Sequence, residues 1–317
     1  MRVLVTGIAG FAGSHLADFI LNKNNIKLYG IELSDKKIDN ISHIKDKIEL
    51  YRCDIRDDSA VYRIISKIKP DFIFHLAGQS FPLRSWSSPS DSLITNIIGA
   101  LNILEAVRKS KIDSRIHIAC SSEEYGEVKR NEMPIRECNP LRPLSPYAVG
   151  KLTQDMLGYQ YYKVYKMFIV RTRAFNHLGA RMDENFVISS FSRQIALIEK
   201  NRQRPVIYVG NINVRRDFAD VRDVVEAYWL ALTKGRAGEA YNICSGKGYK
   251  IRKLLEILLS FTSQKIEIKI DRCRFRHSDI LLTIGDNSKF YRQTGWKPKI
   301  PIKETLRDIL AYWRNKV

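Results

Sequence analysis

The sequence predicts an α/β fold: a parallel sheet doubly wound by helices, with a smaller C-terminal α/β region behind it. Two observations carry that expectation. Short β-branched and aliphatic runs alternate with helical patterns through the first half of the chain, and that alternation builds parallel sheets. A glycine loop, Gly7-Ile8-Ala9-Gly10-Phe11-Ala12-Gly13, joins the first such run to the first helical pattern.

The run Met1–Thr6 reads as a buried strand, and Ser14–Ile20 as the start of a helix. Between them, Gly7 allows a tight turn and Gly10 lets the backbone approach a pyrophosphate. Gly13 lets the helix pack close to the strand. The helix N-terminus then offers free N–H groups and a partial positive charge. Strand, glycine turn and helix in this order are the phosphate cradle of a Rossmann-type sheet, and Phe11 and Ala12 belong to the same loop.

The second strand is expected at Ile26–Glu32. Glu32 stands at its C-terminal end, about twenty residues past the glycine loop, where a carboxylate accepts hydrogen bonds from the adenosine ribose hydroxyls. It would repel a 2′-phosphate and so favours NAD. Lys36 and Lys37 follow closely and leave NADP open. Ile48–Asp54 reads as the third strand. Ser59–Ile68 reads as an amphipathic helix that stops before Pro70.

Asp71–Ala77 reads as the fourth strand, followed by Gly78-Gln79-Ser80. Ligands of parallel sheets lie at strand C-termini, so Leu76, Ala77 and Gly78 should line the cofactor. His75 is expected to be a packed strand-end residue. Asp91–Lys109 is a long helix interrupted by Asn96 and Gly99. A mid-helix glycine costs about 1 kcal/mol against alanine, so close packing is expected at Gly99. Ile112–Cys120, the fifth strand, leads into Ser121-Ser122-Glu123-Glu124-Tyr125-Gly126.

Ser145-Pro146-Tyr147-Ala148-Val149-Gly150-Lys151 opens another helix. Tyr147 and Lys151 are one turn apart and project from one face. A nearby ammonium favours phenolate and is expected to lower the Tyr147 pKa toward working pH. A tyrosine tuned in this way exchanges protons with a carbinol or carbonyl oxygen. Ser121, at a strand end, can hold the same oxygen, and a nicotinamide would exchange the hydride.

The bulk numbers exclude several classes. At 317 residues the chain can form one large α/β domain or two modest ones. The expected division is a cofactor-binding region over 1–170, with returns from about 210–245, and a mainly substrate-binding region over 171–317. No apolar run reaches membrane-helix length. The first strand begins at Arg2 and leaves no room for a signal peptide. Five scattered cysteines without metal spacing suggest reduced thiols and a cytoplasmic location. The net charge of +19 is spread along the chain with no basic block of interleaved aromatics, so nucleic acid is not expected as a partner. It suits attraction of anionic small molecules, or simply a basic surface.

The glycine loop and the Tyr-x-x-x-Lys pair together resemble the extended short-chain dehydrogenase/reductases that act on nucleotide-diphosphate sugars. The resemblance runs over the whole chain. It is closest to the branch of GDP-mannose 4,6-dehydratases and GDP-4-keto-6-deoxymannose reductases. It is carried by His75–Ser80, Ser121–Gly126, Ser145–Tyr147, Arg173–His177 and Arg216–Asp223. It implies a catalytic set of Ser121, Tyr147 and Lys151, with Glu123 where the dehydratases keep the base for the sugar C5 proton. It puts Asp54, Ile55 and Asn96 with the cofactor. Gln79, Ser85, Ser122, Asn176, Arg216, Arg276 and Asp279 go with a nucleotide sugar, GDP-linked by preference. Arg216 and Arg276 would be pyrophosphate clamps, since guanidinium matches phosphate with paired donors. The family's usual Arg-Pro-x-Glu is here Arg276-His277-Ser278-Asp279, which changes the nucleoside contact. The resemblance also implies a homodimer through a four-helix bundle, built from Asp91–Lys109 and Tyr147–Tyr165 of each subunit.

Three reactions share hydride exchange at sugar C4. A reductase consumes a 4-keto sugar and releases oxidised cofactor. A 4,6-dehydratase keeps its cofactor and needs Glu123. A 4-epimerase, or a simple C4 dehydrogenase, needs no base there. Ser121 and Phe218 stand where the dehydratases usually have Thr and Trp, which puts the reductase first and the dehydratase second.

Overall fold

The computed structural model describes residues 1–275 and 280–317, and it is built on seven parallel strands. Six are β1 (Arg2–Thr6), β2 (Lys27–Glu32), β3 (Ile48–Arg52), β4 (Phe72–His75), β5 (Arg115–Ser121) and β6 (Ile169–Ala174). The seventh, Ala240–Ile243, returns from the C-terminal half to pair with β6. From that edge the order is Ala240–Ile243, β6, β5, β4, β1, β2, β3. The winding reverses between β1 and β4, and a crevice opens beyond the strand C-termini at such a reversal.

The strands alternate apolar side chains between two helical layers, as a sheet covered on both faces requires. Val3 and Val5 pack with Leu16 and Ile20 of α1 (Phe11–Leu21) and with Val224 and Ala227 of the helix Val221–Lys234. Leu4, Ile73 and Ile116 pack instead with Ile65 of α2 (Asp58–Ile68). A short α3 (Pro82–Ser87) precedes α4 (Pro89–Ser110), whose Leu104 and Val107 complete that layer. Both α3 and the run of tight turns over Asp35–Lys47 lie outside the periodicity read from sequence. A Cβ on Gly99 would stand 2.3 Å from Ile55 Cδ1, so any larger residue there would have to displace the Ile55 side chain after β3.

α5 (Pro146–Tyr165) starts as its sequence dictates. The Ser145 hydroxyl accepts from the Ala148 N–H at 3.1 Å, and Pro146 occupies the first turn. Beyond β6 a second core forms. The helices Val187–Glu199, Ile251–Leu259 and Ile302–Lys316 bury Phe191, Ile195, Leu254, Leu258, Leu306 and Ile309 together. Short strands at Asn176–Leu178 and Gly248–Lys250 flank Arg215–Asp220. No helix among the described residues is long and apolar enough to cross a membrane.

Candidate active site

A cleft of about 1530 Å³ runs from the glycine loop, across the strand ends, to the second core. Its floor begins at the loop. α1 starts at Phe11, three residues earlier than its sequence pattern suggests, because Gly10 is its N-cap. No side chain caps this helix, and Phe11, Ala12 and Gly13 of its first turn line the cleft. A Cβ on Gly13 would stand 2.1 Å from the Gly7 carbonyl oxygen, and one on Gly7 would stand 2.9 Å from Ala77 Cα. An uncapped helix end behind a loop this tightly drawn fits a pyrophosphate, and with it a nicotinamide dinucleotide.

Glu32 stands at the end of β2, on the same wall. Its Oε2 accepts from the Ala9 N–H at 3.0 Å and its Oε1 from the Leu33 N–H at 3.1 Å. Asp54, Ile55, Leu76, Ala77, Gly78 and Gln79 also line the cleft. The Asp54 carboxylate is forked by the Arg56 guanidinium at 2.6–3.0 Å, which holds its pKa below the ordinary carboxylate value.

β5 delivers Ser121 to the cleft, with Ser122 and Glu123 on the turn that follows. α5 brings Tyr147 to the opposite side, near enough to Ser121 for the serine hydroxyl to influence the phenol. Lys151 lies one turn deeper and is buried, where its Nζ donates to the Ala119 carbonyl at 2.9 Å. Ser121, Glu123, Tyr147 and Lys151 are thus brought together. Their electrostatics differ from the sequence expectation. Burial, joined by the charges of Glu123 and Glu124, pushes the Tyr147 phenol well above its ordinary value, and Ser121 only partly opposes this. Burial also pulls Lys151 below its ordinary value. In this geometry burial favours the protonated phenol over the phenolate.

Two expected ligand residues face elsewhere. Ser85 is fully buried and donates to the Pro82 carbonyl at 2.6 Å inside α3, so it does not reach a substrate. Asn96 is fully buried behind the 78–79 loop. Its Oδ1 accepts from the Gln79 N–H at 2.8 Å and its Nδ2 donates to the Gln79 carbonyl, so it shapes the cofactor wall without lining it. Asn176 and Arg216 do line the cleft, and Asn176 Nδ2 donates to the Asp217 carbonyl at 3.3 Å. Arg276 and Asp279 lie outside the described residues.

The cleft also has walls that the sequence reading missed. Phe81 and Phe186 meet edge to face at 5.4 Å across its rim. Arg181, Arg193 and Tyr208 line its far half. Arg181 is fixed by Asp18 of α1 at 2.7 Å. Its one sequence signal was an arginine directly after Gly179-Ala180, too common to single out.

Comparison with known proteins fits this geometry. The sequence model of the GDP-mannose 4,6 dehydratase family matches residues 4–309. The chain belongs to that family. It is 33% identical to the GDP-6-deoxy-D-mannose reductase of Pseudomonas aeruginosa, over all of this chain and 98% of the relative. It is 28% identical to the GDP-mannose 4,6-dehydratase of Vibrio cholerae, over 98% of this chain and 92% of the relative. The solved structure of Pseudomonas aeruginosa RMD complexed with NADPH superimposes with a TM-score of 0.88 at 33% identity, covering 100% of this chain and 99% of that one. A Thermus thermophilus UDP-glucose 4-epimerase in complex with NAD gives 0.88 at 28% identity, with both chains covered completely. Members of this family with curated activities are enzymes, reductases and dehydratases of nucleotide sugars.

Proposed function

We propose that this chain is an NAD(P)-dependent enzyme that exchanges a hydride at C4 of a nucleotide-diphosphate sugar, and that it reduces GDP-4-keto-6-deoxy-D-mannose. The observation that carries this reading is the buried Tyr147 phenol brought beside Ser121 in the cleft. A phenol placed there gives a proton, which a 4-keto oxygen needs as it becomes an alcohol. The full-length likeness to a GDP-6-deoxy-D-mannose reductase supports the same reading.

In this account Gly7, Gly10 and Gly13 with the α1 N-terminus hold the dinucleotide pyrophosphate. Glu32 takes the ribose, with Asp54 and Ile55 on the adenine side and Leu76, Ala77 and Gly78 toward the nicotinamide. When bound, the reduced dinucleotide supplies the hydride for C4. Ser121 donates a hydrogen bond to the C4 oxygen, and Tyr147 hands that oxygen its proton. The buried Lys151 ammonium then stabilises the phenolate that remains. Gln79, Ser122, Asn176 and Arg216 bind the nucleotide sugar, joined by Arg276 and by Asp279, which stands where the family has Glu. Residues 1–170, with returns from about 210–245, serve the cofactor, and 171–317 mainly the substrate.

The test is an incubation of GDP-4-keto-6-deoxymannose with NADPH or NADH, followed by mass spectrometry. A sugar nucleotide heavier by two hydrogens is expected; an unchanged mass contradicts the reading. One observation favours a second reading: Glu123 lines the cleft beside Ser121, where a base for the C5 proton of GDP-mannose would act.

The working unit in this account is a homodimer through α4 and α5, in a reducing, cytoplasmic setting. Support comes from Ile94 and Ile98 on α4 and from Val149, Met156 and Tyr159 on α5, all exposed on two helices packed against each other. The chain's cysteines form no disulfide. Light scattering reads the assembly directly, with a mass twice that of the chain expected.

A further inference from the structure

Two adjacent glutamates follow β5, in opposite surroundings. Glu123 lines the cleft, whereas Glu124 is fully buried beneath it. Ser121 is the N-cap of the turn Ser122–Tyr125, and Glu124 is the turn's third residue. They close a reciprocal box: the Ser121 N–H donates to Glu124 Oε1 at 2.8 Å, and the Glu123 N–H donates to Ser121 Oγ at 3.2 Å. The Ser121 oxygen thus accepts from the turn, which leaves its O–H to donate into the cleft.

The other Glu124 oxygen has a different fate. Oε2 has no hydrogen-bond partner and lies 3.5 Å from Arg173 Nε. That nitrogen donates instead to Asp155 Oδ2 at 2.8 Å, while Arg173 Nη1 donates to the Tyr125 hydroxyl and the Glu137 carbonyl, each at 3.1 Å. Arg171 takes the second Asp155 oxygen. Asp155 is therefore saturated by two guanidiniums, and Glu124 is the buried carboxyl left over. Cys120, Glu124 and Asp155 place ligand atoms within 4.8 Å of one another, but both Asp155 oxygens are already occupied, so the group is not read as a metal site. Burial and the Asp155 charge push the Glu124 carboxyl up to about 8.

We infer that Glu124 is a positioning residue: by holding the Ser121 N–H it fixes the direction in which the Ser121 hydroxyl meets Tyr147 and the sugar oxygen. The inference rests on the role proposed for Ser121 above. It follows from the bond that the buried Glu124 carboxyl makes to the Ser121 N–H. A protonated Glu124 accepts from Ser121 through one oxygen and sets no second negative charge beside Asp155. An ionised Glu124 sets a second carboxylate beside Asp155 and draws Arg173 from its present partners. The charged or titratable groups facing it are Asp155 and Lys151 from α5, Arg171 and Arg173 from β6, Cys120 from β5, and Tyr125 and Tyr147. Turnover should therefore fall as pH rises through about 8.

Glutamine copies the neutral acid, with a carbonyl oxygen for Ser121 and an N–H where the acid has its O–H. Alanine removes both. The test compares wild type, Glu124→Gln and Glu124→Ala in kcat, KM and pH profile with GDP-4-keto-6-deoxymannose and NADPH. Glu124→Ala should lose about tenfold or more in kcat with KM changed less than about threefold. Glu124→Gln should restore kcat to within about threefold and abolish the fall near pH 8. Wild-type kcat in Glu124→Ala, or glutamine as damaging as alanine, overturns the inference. A fall near pH 8 that persists in Glu124→Gln belongs to another group and equally overturns it. A second readout needs no substrate: hydrogen exchange of the Ser121 amide, followed by NMR after serine labelling. It should be slow in wild type and Glu124→Gln, and roughly tenfold faster in Glu124→Ala. Equal exchange in all three overturns the inference even if another sugar nucleotide proves to be the substrate. Slow exchange that alanine releases, in a protein inert toward GDP-4-keto-6-deoxymannose, upholds the Glu124–Ser121 hold and overturns only the reductase reading.

Discussion

Phe11 and His177 stack face to face, with ring centroids 5.6 Å apart and planes 9° from parallel. Phe11 opens α1 inside the glycine loop, and His177 follows Asn176 on the short strand leading into the second core. Phe11 packs against both hydrophobic cores. One ring thus ties the proposed cofactor wall to the proposed substrate wall. Phe11→Ala should cost about 2 kcal/mol in urea unfolding, less than the loss of a fully buried phenylalanine because the ring is partly exposed. Unchanged stability would mean that the stack carries no load between the cores.

Tyr147 is the proposed acid. Tyr147→Phe removes one hydroxyl from a packed site and should lower kcat by about a hundredfold or more, with cofactor affinity retained. Turnover and dinucleotide fluorescence titration separate the two effects. Wild-type turnover in the variant removes Tyr147 from the reaction.

What the sequence could show follows from how local each feature is. The glycine loop is a contiguous strand–turn–helix, and steric limits on seven residues determine its shape. Tyr147 and Lys151 share a helix face by spacing alone. Ser85 and Asn96 failed for the opposite reason: whether each faces the cleft or the protein depends on the 78–82 segment packed against them. The charged state of Tyr147 was misread because spacing gives proximity to Lys151 but not burial. Glu123 and Glu124 are indistinguishable as letters, and only the turn after β5 sends one into the cleft and the other beneath it.

Glu32 offers a test of cofactor choice. Glu32→Ala should narrow the preference for NAD over NADP, measured as the ratio of kcat/KM values, by about tenfold, the worth of one charged hydrogen bond. The carboxylate also holds the Ala9 and Leu33 N–H groups, so Glu32→Gln serves as a control that keeps an acceptor for the loop. An unchanged preference in the alanine variant takes Glu32 out of cofactor selection.

Two buried histidines set an acid limit to stability. Burial pushes His75 and His117 down to about 3, with the Lys151 charge adding to both. The folded protein keeps them neutral where the unfolded chain, with ordinary values near 6.5, takes up protons. The unfolded state therefore binds more protons between about pH 3 and 6.5, and stability contributed by these rings is lost as pH falls through that window. Unfolding free energy should be lower at pH 5 than at pH 7, and neither ring's NMR signals should titrate near 6.5. Ordinary titration of either ring would contradict its assignment as a buried neutral group.

The central claim is that the enzyme works on the 4-keto sugar and not on its precursor. The most direct measurement is a parallel anaerobic incubation: GDP-mannose with NAD in one vessel, GDP-4-keto-6-deoxymannose with NADPH or NADH in the other, each analysed by mass spectrometry. The account predicts unchanged GDP-mannose and a 4-keto sugar that gains two hydrogens. Loss of one water from GDP-mannose, with the 4-keto sugar untouched, would contradict it and give Glu123 the role of C5 base.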